Sequence, residues 1–497
     1  MFLRNLTLLT DFYELTMMQA YFHVEKETGR RQHAAFDMFY RENTSGNGYA
    51  VVAGLAQVVD YINELAFHDD DIEYLRGTGV FCEEFLAYLK QFKFTGSINA
   101  VPEGTVVFPG EPLVQVIAPI MEAQLIETAV LNIINHQSLI ATKAARVCWA
   151  AKGDRVLEFG LRRAQGPDAG VYGARAAMIG GCAATSNVLA GRLFGVPVQG
   201  THAHSWIMSF SSERDAFRYY ANIYPDACIL LVDTYDTLKS GIPNAIKVFR
   251  ELRYENTAGA GLKNFGIRLD SGDLAYLSKK ARKMLDEAGF PDAFICASND
   301  LDEYVISELK MQDAEISVWG VGTHLITSKE NPAFGGVYKL VATRTEGAVD
   351  EWQNTLKLSE DPLKITNPGI KKLFRIYDAE SGKMKADLVA LADEEYTNDC
   401  DLTLFDPIAT WKQMRLRAGE YIVRELLRPI FKDGTCVYDS PTVTEICAYA
   451  ARERDTLWDE HKRLVKPHIM PVDLSQRLYD LKKEMIERAR RTPETHG

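Results

Sequence analysis

The sequence predicts an α/β protein whose central part is an irregular (β/α) barrel. Short apolar runs recur between residues 156 and 321, and a helical segment follows each of them. This alternation requires parallel strands joined by crossover helices, and five or six such units in succession favour a barrel over an open sheet. No Gly-x-Gly-x-x-Gly motif opens a helix after a first strand, which argues against a dinucleotide-binding fold. The predicted strands are residues 156–160, 195–198, 228–233, 264–270, 294–298 and 316–319.

The segment before the barrel predicts part of a smaller α+β domain. Apolar residues at helical spacing follow Thr10, which is a suitable N-cap, and predict the first helix. Residues 34–40 and 49–55 alternate like strands. Turns rich in proline and glycine between short apolar runs predict a small β domain over residues 96–119. A helix over about residues 123–151 then leads into the barrel.

The segment after the barrel has a looser pattern. Residues 336–341 and 371–391 predict antiparallel strands around a turn at 378–382, and a charged amphipathic helix follows Leu474. We therefore predict three parts, in which the last partly completes the small domain and ends in helices. They are an N-terminal α+β domain over 1–125, a barrel domain over 126–340 and a C-terminal segment over 341–497.

Composition excludes several classes of protein. The chain has 497 residues, of which 46% are hydrophobic and 25% charged, and this argues against a mainly disordered protein. The net charge of −12 argues against a nucleic-acid partner, because binding a phosphate backbone needs a basic face. Eight cysteines without a Cys-x-x-Cys pair favour reduced thiols. We find no signal peptide and no apolar run near the roughly 20 residues that span a bilayer, so we expect a cytoplasmic protein without a membrane partner.

Two histidines stand where a predicted strand ends and a helix begins, in the stretch Gly-Thr-His-Ala-His-Ser at residues 200–205. Thr201 and Ser205 carry hydroxyl groups suited to capping that helix. A helix N-terminus stabilises negative charge, and a neutral histidine there can attack a phosphoryl group. The alternative is that His202 and His204 are both hydrogen-bonded structural residues.

Polar residues follow every predicted strand, and in a barrel these positions meet on the face where the chemistry is done. The glycines and the threonine of Gly-Val-Gly-Thr, residues 320–323, suit a bound phosphate. Asp270 and Asp273 can bind ribose hydroxyls or, through water, Mg²⁺. Arg163 and Arg268 can hold a carboxylate or a phosphate with paired hydrogen bonds. Together with a phosphorylatable histidine, these groups fit the transfer of a phosphoribosyl group.

Five motifs resemble those of the nicotinate phosphoribosyltransferase family, in the family's order: residues 9–17, 159–168, 200–205, 267–274 and 320–323. The resemblance covers most of the first 345 residues. It implies a barrel of the type II phosphoribosyltransferase kind, with a smaller domain assembled from both chain ends. It also implies the synthesis of nicotinate mononucleotide and pyrophosphate from nicotinate and 5-phosphoribosyl 1-pyrophosphate, in NAD biosynthesis. The reaction would be coupled to ATP hydrolysis through a phosphohistidine, and Mg²⁺ would assist the departing pyrophosphate.

By the same resemblance, His204 matches the phosphorylated histidine, and we predict His204 and Asp270 as the catalytic residues. Tyr13, Thr201 and Arg268 would hold nicotinate, and Thr323 would hold phosphate. The predicted substrate-binding residues are Tyr13, Arg163, Thr201, Arg268, Asp273, Ser298, Gly322 and Thr323. The family further implies a homodimer with a shared active site, to which Tyr13 is a candidate contribution from the partner. No metal ligands are predicted.

Other functions stay open at this point. A phosphoribosyltransferase for nicotinamide or quinolinate would share the fold, although a quinolinate enzyme needs further cationic groups for a second carboxylate. A non-catalytic sensor of pyridine nucleotides would keep the pocket, but degenerate relatives usually lose charged strand-end residues, and His204, Arg268 and Asp270 are present. Another phosphate-binding barrel enzyme is disfavoured by the paired histidine and arginine motifs.

Overall fold

Strands from the two ends of the chain pair with each other, so the computed structural model divides into two compact units. The central unit is Ile140–Pro332, and the terminal unit combines Met1–Leu139 with Ala333–Gly497. From the sequence we expected the part built from both ends to be the smaller one, whereas the terminal unit is the larger. The ends of the predicted domains at residues 1–4 and 492–497 lie outside the described residues. The structure describes residues 5–43, 46–255, 264–347, 351–360 and 365–491.

The helices and strands are numbered here in chain order. The first stretch contains α1 (Phe12–Thr28), β1 (Gln32–Tyr40), β2 (Ala50–Val51), α2 (Leu55–Glu64), α3 (Asp69–Gly77), α4 (Glu83–Lys90), β3 (Ser97–Ala100), β4 (Val106–Val107), β5 (Val114–Pro119), α5 (Ile120–Leu125) and α6 (Glu127–Ala150). The second contains β6 (Arg155–Glu158), α7 (Pro167–Gly180), β7 (Ala184–Thr185), α8 (Val188–Phe194), α9 (His204–Met208), α10 (Glu213–Ile223), β8 (Cys228–Leu231), α11 (Ile242–Glu255), β9 (Phe265–Leu269), α12 (Leu274–Glu287), β10 (Phe294–Ser298), α13 (Glu303–Met311), β11 (Val318–Val321) and α14 (Thr323–Ile326). The third contains β12 (Gly336–Thr345), β13 (Gln353–Asn354), β14 (Lys371–Asp378), β15 (Met384–Leu391), β16 (Leu402–Phe405), β17 (Gln413–Leu416), β18 (Tyr421–Glu425), β19 (Arg428–Lys432), β20 (Thr435–Cys436), α15 (Val443–Thr456), α16 (Asp459–Lys462), β21 (Val472–Leu474) and α17 (Gln476–Arg491).

The main sheet of the terminal unit has seven strands in the order β13-β12-β1-β5-β3-β19-β20. The third strand, β1, runs antiparallel to both β12 and β5, and its middle residues are buried. Residues 96–119 contain the short strands β3, β4 and β5, as predicted, but they do not form a small β domain. β3 and β5 belong to this seven-stranded sheet, in which β5 pairs with β1 on one side and with β3 on the other.

The C-terminal part of the terminal unit agrees with the sequence pattern. β14 and β15 pair in antiparallel register around the turn at 378–382, as predicted, and α17 confirms the helix expected after Leu474. These two strands belong to a four-stranded sheet in the order β18-β14-β15-β21.

At the N-terminus, the prediction that Thr10 caps α1 is wrong. Asp11 is the N-cap residue, and Thr10 Oγ1 instead donates to the carbonyl of Leu125 at 3.2 Å.

The central unit is built on six parallel strands in the order β7-β6-β11-β10-β9-β8. Cys296 in β10 lies opposite Val318 of β11 and Arg268 of β9. In the described residues β7 and β8 form the two edges, so these strands make an open arc of sheet. Parallel strands end at a common edge, and the polar residues after β8, β9, β10 and β11 are therefore neighbours.

The predicted strand at 195–198 is wrong as a full strand. Only Val198 forms a parallel bridge, with Thr185 of β7. Two hydrogen bonds hold it, from the Thr185 N–H to the Pro197 carbonyl and from the Gln199 N–H to the Thr185 carbonyl, both at 3.0 Å. Pro197 has no N–H to donate, so the ladder cannot extend through it.

Two further observations concern the whole described chain. None of its helices is both long and apolar enough to cross a bilayer.

All eight cysteines are free thiols. Burial raises the pKa of Cys228 and Cys296 to about 12. These two thiols therefore stay protonated and act as small apolar residues in the sheet.

Candidate active site

Arg268 in β9 is held by side chains from three different segments. Its Nε donates to Ser298 Oγ at 2.7 Å, and its Nη1 donates to Thr201 Oγ1 at 2.8 Å. Its Nη2 donates to Asp270 Oδ1 at 2.7 Å. Within the described residues these contacts use three of the five guanidinium N–H donors, so two stay available to a bound anion. The side chain is 15% exposed, and the contacts therefore hold a cationic fork in a fixed orientation at the edge of the sheet.

Asp270 connects this arginine to the neighbouring strand. Its Oδ1 accepts from Arg268 and from the hydroxyl of Ser298, the last residue of β10. Burial raises the pKa of the Asp270 carboxyl, but the charge of Arg268 and the hydrogen bonds from Ser298 and Arg268 outweigh it, so the net pKa is below its ordinary value. Asp270 is therefore a carboxylate at neutral pH.

His204 is the first residue of α9 and contacts two groups at the same edge. Its Nδ1 lies 3.1 Å from Thr234 Oγ1, and its Nε2 lies 3.6 Å from Asp270 Oδ2. The side chain is 40% exposed, so a phosphate donor can reach the ring.

The prediction that Thr201 and Ser205 cap this helix is wrong. The N-cap residue is Ala203, which offers no side-chain acceptor, and the Thr201 hydroxyl is taken up by Arg268.

His202 has a structural position. Its ring is buried beside Tyr220, with ring centroids 4.7 Å apart, and its Nε2 accepts the backbone N–H of Leu231 at 3.3 Å. Burial, aided by the charges of Arg268 and His204, lowers the pKa of His202 from 6.5 to about 4. The ring is therefore neutral at physiological pH and serves as an acceptor that ties the histidine loop to β8.

We expect the buried His202 to make folding sensitive to acid. Between pH 6.5 and about 4 the unfolded chain binds a proton at His202 that the folded chain does not, so stability is complete above pH 6.5 and falls as the pH drops towards 4. The shift predicts a loss of about 3 kcal/mol over this range. His202→Gln keeps an acceptor for Leu231 and should flatten the pH dependence of the free energy of unfolding, measured in urea. His23→Gln, at an exposed position, should not; parallel curves for wild type and His202→Gln would contradict the expectation.

Two residues after β8 belong to the site although no role was assigned to them from the sequence. Asp233 Oδ2 accepts from the Asp270 backbone N–H at 2.8 Å and from Ser271 Oγ at 2.7 Å, and Thr234 contacts His204. Both follow an apolar strand directly, which is the signal that identified Asp270. Their roles depend on distances to residues of other segments, and the pattern of their own segment does not contain that information.

Phe159, directly after β6, lies beside both Arg268 and the glycine turn, which comprises residues 320–323. Its ring centroid lies 5.9 Å from the Arg268 Cζ. A Cβ added to Gly320 would lie 2.7 Å from this ring, and one added to Gly322 would lie 3.2 Å from the Phe159 carbonyl oxygen. Gly320 is also the register partner of Ser298. The two glycines are therefore needed for packing against Phe159. They lie next to the Arg268 group, which we define as Arg268 with Thr201, Asp270 and Ser298.

The turn that carries Arg163 is fixed by Glu158, the last residue of β6. Glu158 Oε2 accepts from Thr185 Oγ1 at 2.5 Å, and its Oε1 accepts the backbone N–H of Gly160. Burial raises the pKa of the Glu158 carboxyl. Arg163 then follows in a short 3₁₀ helix and is exposed.

The structure thus brings together the predicted residues Thr201, His204, Arg268, Asp270 and Ser298. In the described part of the central unit, no hydrogen bond or ion pair joins Arg268 to the other predicted residues of that unit, which are Arg163, Asp273, Gly322 and Thr323. The exposed Asp273 caps α12 by accepting the Tyr276 N–H at 2.8 Å, and Thr323 begins α14. Tyr13 lies in α1 of the terminal unit and is half exposed. The substrate roles of these five residues stay predictions.

The fold has counterparts among solved structures. It matches the crystal structure of human nicotinic acid phosphoribosyltransferase with a TM-score of 0.82 and 31% sequence identity, covering 96% of this chain and 99% of that one. It also matches nicotinate-nucleotide pyrophosphorylase from Pyrococcus furiosus with a TM-score of 0.66 at 23% identity, covering 90% and 94% of the two chains. The parallel sheet with an arginine, a histidine and a glycine turn at its edge therefore belongs to a protein with a phosphoribosyltransferase fold.

Sequence relatives specify the family. The N-terminal domain, family and C-terminal domain models of nicotinate phosphoribosyltransferase match residues 8–135, 155–366 and 370–482. The chain is 45% identical to nicotinate phosphoribosyltransferase of Bacillus subtilis, over 97% of this chain and 95% of that protein. It is 34% identical to the human protein of the same name, over 95% of both. The chain belongs to the nicotinate phosphoribosyltransferase family, an enzyme family, and the resemblance inferred from the five motifs is confirmed.

Proposed function

We propose that the protein transfers the phosphoribosyl group of 5-phosphoribosyl 1-pyrophosphate to the ring nitrogen of nicotinate, yielding nicotinate mononucleotide and pyrophosphate for NAD biosynthesis. The observation that carries the proposal is the Arg268 guanidinium, which Thr201, Asp270 and Ser298 hold beside the ring of Phe159. A cationic fork next to an aromatic face suits a flat ring that bears one carboxylate. The names of the sequence relatives support the same substrate.

The chemistry needs no general base. The pyridine nitrogen of nicotinate already carries a lone pair, so the chain has only to hold it in line with C1 of the ribose. In our proposal Arg268 and Thr201 bind the carboxylate and Phe159 covers one face of the ring. The Asp270 carboxylate lies where it can stabilise positive charge that develops on the sugar.

The second substrate would lie along the same edge of the sheet. We assign its phosphate to Gly322 and Thr323, its ribose hydroxyls to Asp273 and Ser298, and its pyrophosphate to Arg163. These assignments extend the motif resemblance, and the exposure of Arg163 and Asp273 supports them because a bound substrate has access to both.

The residues present also fit Mg²⁺. Asp233 Oδ1 is a buried carboxylate oxygen without a hydrogen-bond partner among the described residues, and Mg²⁺ binds carboxylate oxygens together with substrate phosphates. When bound, the ion would neutralise charge on the departing pyrophosphate. Asp233 also fixes the backbone of Asp270, so it would keep that carboxylate in place.

We further propose that His204 couples synthesis to ATP hydrolysis. A ring nitrogen would attack the γ-phosphorus of ATP, the bond to the ADP oxygen would break, and water would later release phosphate from the phosphohistidine. The contacts of His204 with Thr234 and Asp270 orient the ring for this reaction. A phosphoryl group on His204 would add negative charge next to Asp270 and Arg268, which gives it a direct effect on the substrate site.

Three properties complete the proposal. The protein would act as a homodimer in which Tyr13 of one chain contributes to the site of the other, and the exposure of Tyr13 supports this role. The parallel strands of the central unit would form the irregular barrel of a type II phosphoribosyltransferase, as the match to solved structures supports. A cytoplasmic location is supported by the eight free cysteines, which suit a reducing compartment.

A comparison of three pyridines tests the substrate assignment. Initial rates with nicotinate, nicotinamide and quinolinate, each with 5-phosphoribosyl 1-pyrophosphate and Mg²⁺, should show kcat/KM for nicotinate at least about 100-fold above the other two. Nicotinamide has no carboxylate to pair with Arg268, and quinolinate has a second carboxylate that Arg268 cannot pair as well. A higher kcat/KM for nicotinamide or quinolinate would show that nicotinate is not the substrate. No mononucleotide product from any of the three would favour a non-catalytic sensor.

A further inference from the structure

A second group of titratable side chains lies in the central unit, directly after the glycine turn. His324 in α14 places its Nδ1 2.6 Å from Glu330 Oε1 and 3.7 Å from Asp302 Oδ2. Each of the three side chains offers one ligand atom, and these three atoms all lie within 4.8 Å of one another. The side chains are mostly shielded, with exposures of 14% for His324, 31% for Glu330 and 13% for Asp302. One ring nitrogen and two carboxylate oxygens therefore converge on one partly enclosed point.

A proton on Nδ1 does not satisfy this arrangement. It can be shared with Glu330 Oε1, but Asp302 Oδ2 is beyond hydrogen-bond distance of the same nitrogen. A metal dication can bind all three atoms, because metal–ligand distances of about 2.0–2.2 Å place neighbouring ligands roughly 3.4 Å apart in a tetrahedral site. The distance from His324 Nδ1 to Glu330 Oε1 would lengthen and the distance to Asp302 Oδ2 would shorten. Each would change by less than about 1 Å, which side-chain rotation allows.

Neighbouring groups already orient the ligands. Asp302 Oδ1 accepts the backbone N–H groups of Tyr304 and Val305 at 2.9 and 2.7 Å as the N-cap of α13, so its Oδ2 faces His324. Glu330 Oε2 is bound by the ammonium of Lys143. Contacts of this kind behind the ligands fix their geometry in metal sites.

The charges of the residues linked to Asp302, His324 and Glu330 also favour a bound cation. Lys143 pairs with Glu303 at 2.6 Å as well as with Glu330, and Arg146 pairs with Glu303 at 2.9 Å. Apart from His324, these linked residues comprise two cations and three carboxylates, the third being Asp302. The ammonium of Lys143 repels a dication, so we expect binding that is reversible with chelators.

We propose that Asp302, His324 and Glu330 bind one transition-metal dication of the Zn²⁺ or Co²⁺ type, with water completing the coordination. A mixed nitrogen and oxygen ligand set suits these ions, whereas Mg²⁺ prefers oxygen ligands alone. The bound ion would tie the start of α13 to α14, whose first residue, Thr323, precedes His324. The proposal does not depend on the proposed function, because it uses none of the residues of the Arg268 group.

Cobalt binding tests this site. The full-length protein, stripped with a chelator, is titrated with Co²⁺ in excess Mg²⁺ while visible d–d absorption and equilibrium dialysis report stoichiometry and affinity. We expect one Co²⁺ per chain, and affinity at least about tenfold weaker in His324→Gln and Asp302→Asn. His33→Gln is the matched control, because His33 pairs with a single glutamate, Glu346, at 2.8 Å, and it should bind Co²⁺ like the wild type.

Thermal unfolding of each metal-free variant shows whether it is folded, and Glu330→Gln replaces any variant that is not. Its neutral amide also removes one ligand charge, so the same tenfold loss is expected. The proposal is overturned if the wild type binds no Co²⁺ saturably, or if the folded variants bind it as tightly as the wild type.

Discussion

Replacing His204 with glutamine is expected to abolish the stimulation of nucleotide synthesis by ATP while a slow, ATP-independent synthesis continues. Glutamine can still contact Thr234 but has no ring nitrogen to accept a phosphoryl group. The Arg268 group, which binds substrate in our proposal, is left intact. The measurement is the rate of nicotinate mononucleotide formation with and without ATP.

A labelling experiment tests whether His204 is the residue that is phosphorylated. Incubation with ATP labelled in its γ-phosphate should place acid-labile label on the wild type and on His23→Ala, an exposed histidine control, but not on His204→Gln. Full ATP stimulation in His204→Gln would rule out the phosphohistidine, and so would unchanged labelling of that variant.

Replacing Arg268 with lysine is expected to lower kcat/KM for nicotinate by at least about 100-fold. Lysine keeps the charge but cannot make the three directional contacts to Thr201, Asp270 and Ser298 together with a bidentate bond to a carboxylate. The loss of two charge-assisted hydrogen bonds, at about 1.5 kcal/mol or more each, gives this magnitude.

The control for Arg268→Lys is Arg214→Lys, which alters an arginine paired with Glu251 at the surface of the same unit and should leave the kinetics unchanged. Circular dichroism of each variant establishes that it is folded. If folded Arg268→Lys retains wild-type kcat/KM for nicotinate, Arg268 does not bind that substrate and the proposed pocket is incorrect.

Much of the central unit could be predicted because its information is local. An apolar strand followed by a helix is visible in a short window, and parallel strands must end at one edge. For this reason Arg268, Asp270 and Ser298, from two different strand segments, were expected to meet, and they do. The strand at 195–198 failed because a single proline removed the hydrogen bond that its apolar pattern implied.

The terminal unit was harder to predict because its information is not local. Residues 96–119 look like a self-contained set of short strands, and no local signal shows that β3 pairs with β19 near the other end of the chain. The same limit applies to Thr234 and Asp233, whose roles depend on contacts with His204 in α9 and with the two residues that follow β9. A histidine's environment also escapes sequence reasoning, since His202 and His204 are two positions apart but one is buried and the other open.

The pairing of β1 with β12 has a consequence for the newly made chain. His33 and Glu346, which bond across the ends of these strands, are 313 positions apart. At roughly 5–20 residues per second, β1 leaves the ribosome on the order of 15–60 seconds before its partner exists. During that interval the edge of β1 that later pairs with β12 has unsatisfied amides and is open to association with other chains. Biosynthesis in the cell should therefore depend on chaperone protection of the nascent N-terminus, and a truncated chain that ends before residue 336 should aggregate even though the parallel sheet of its central unit is complete.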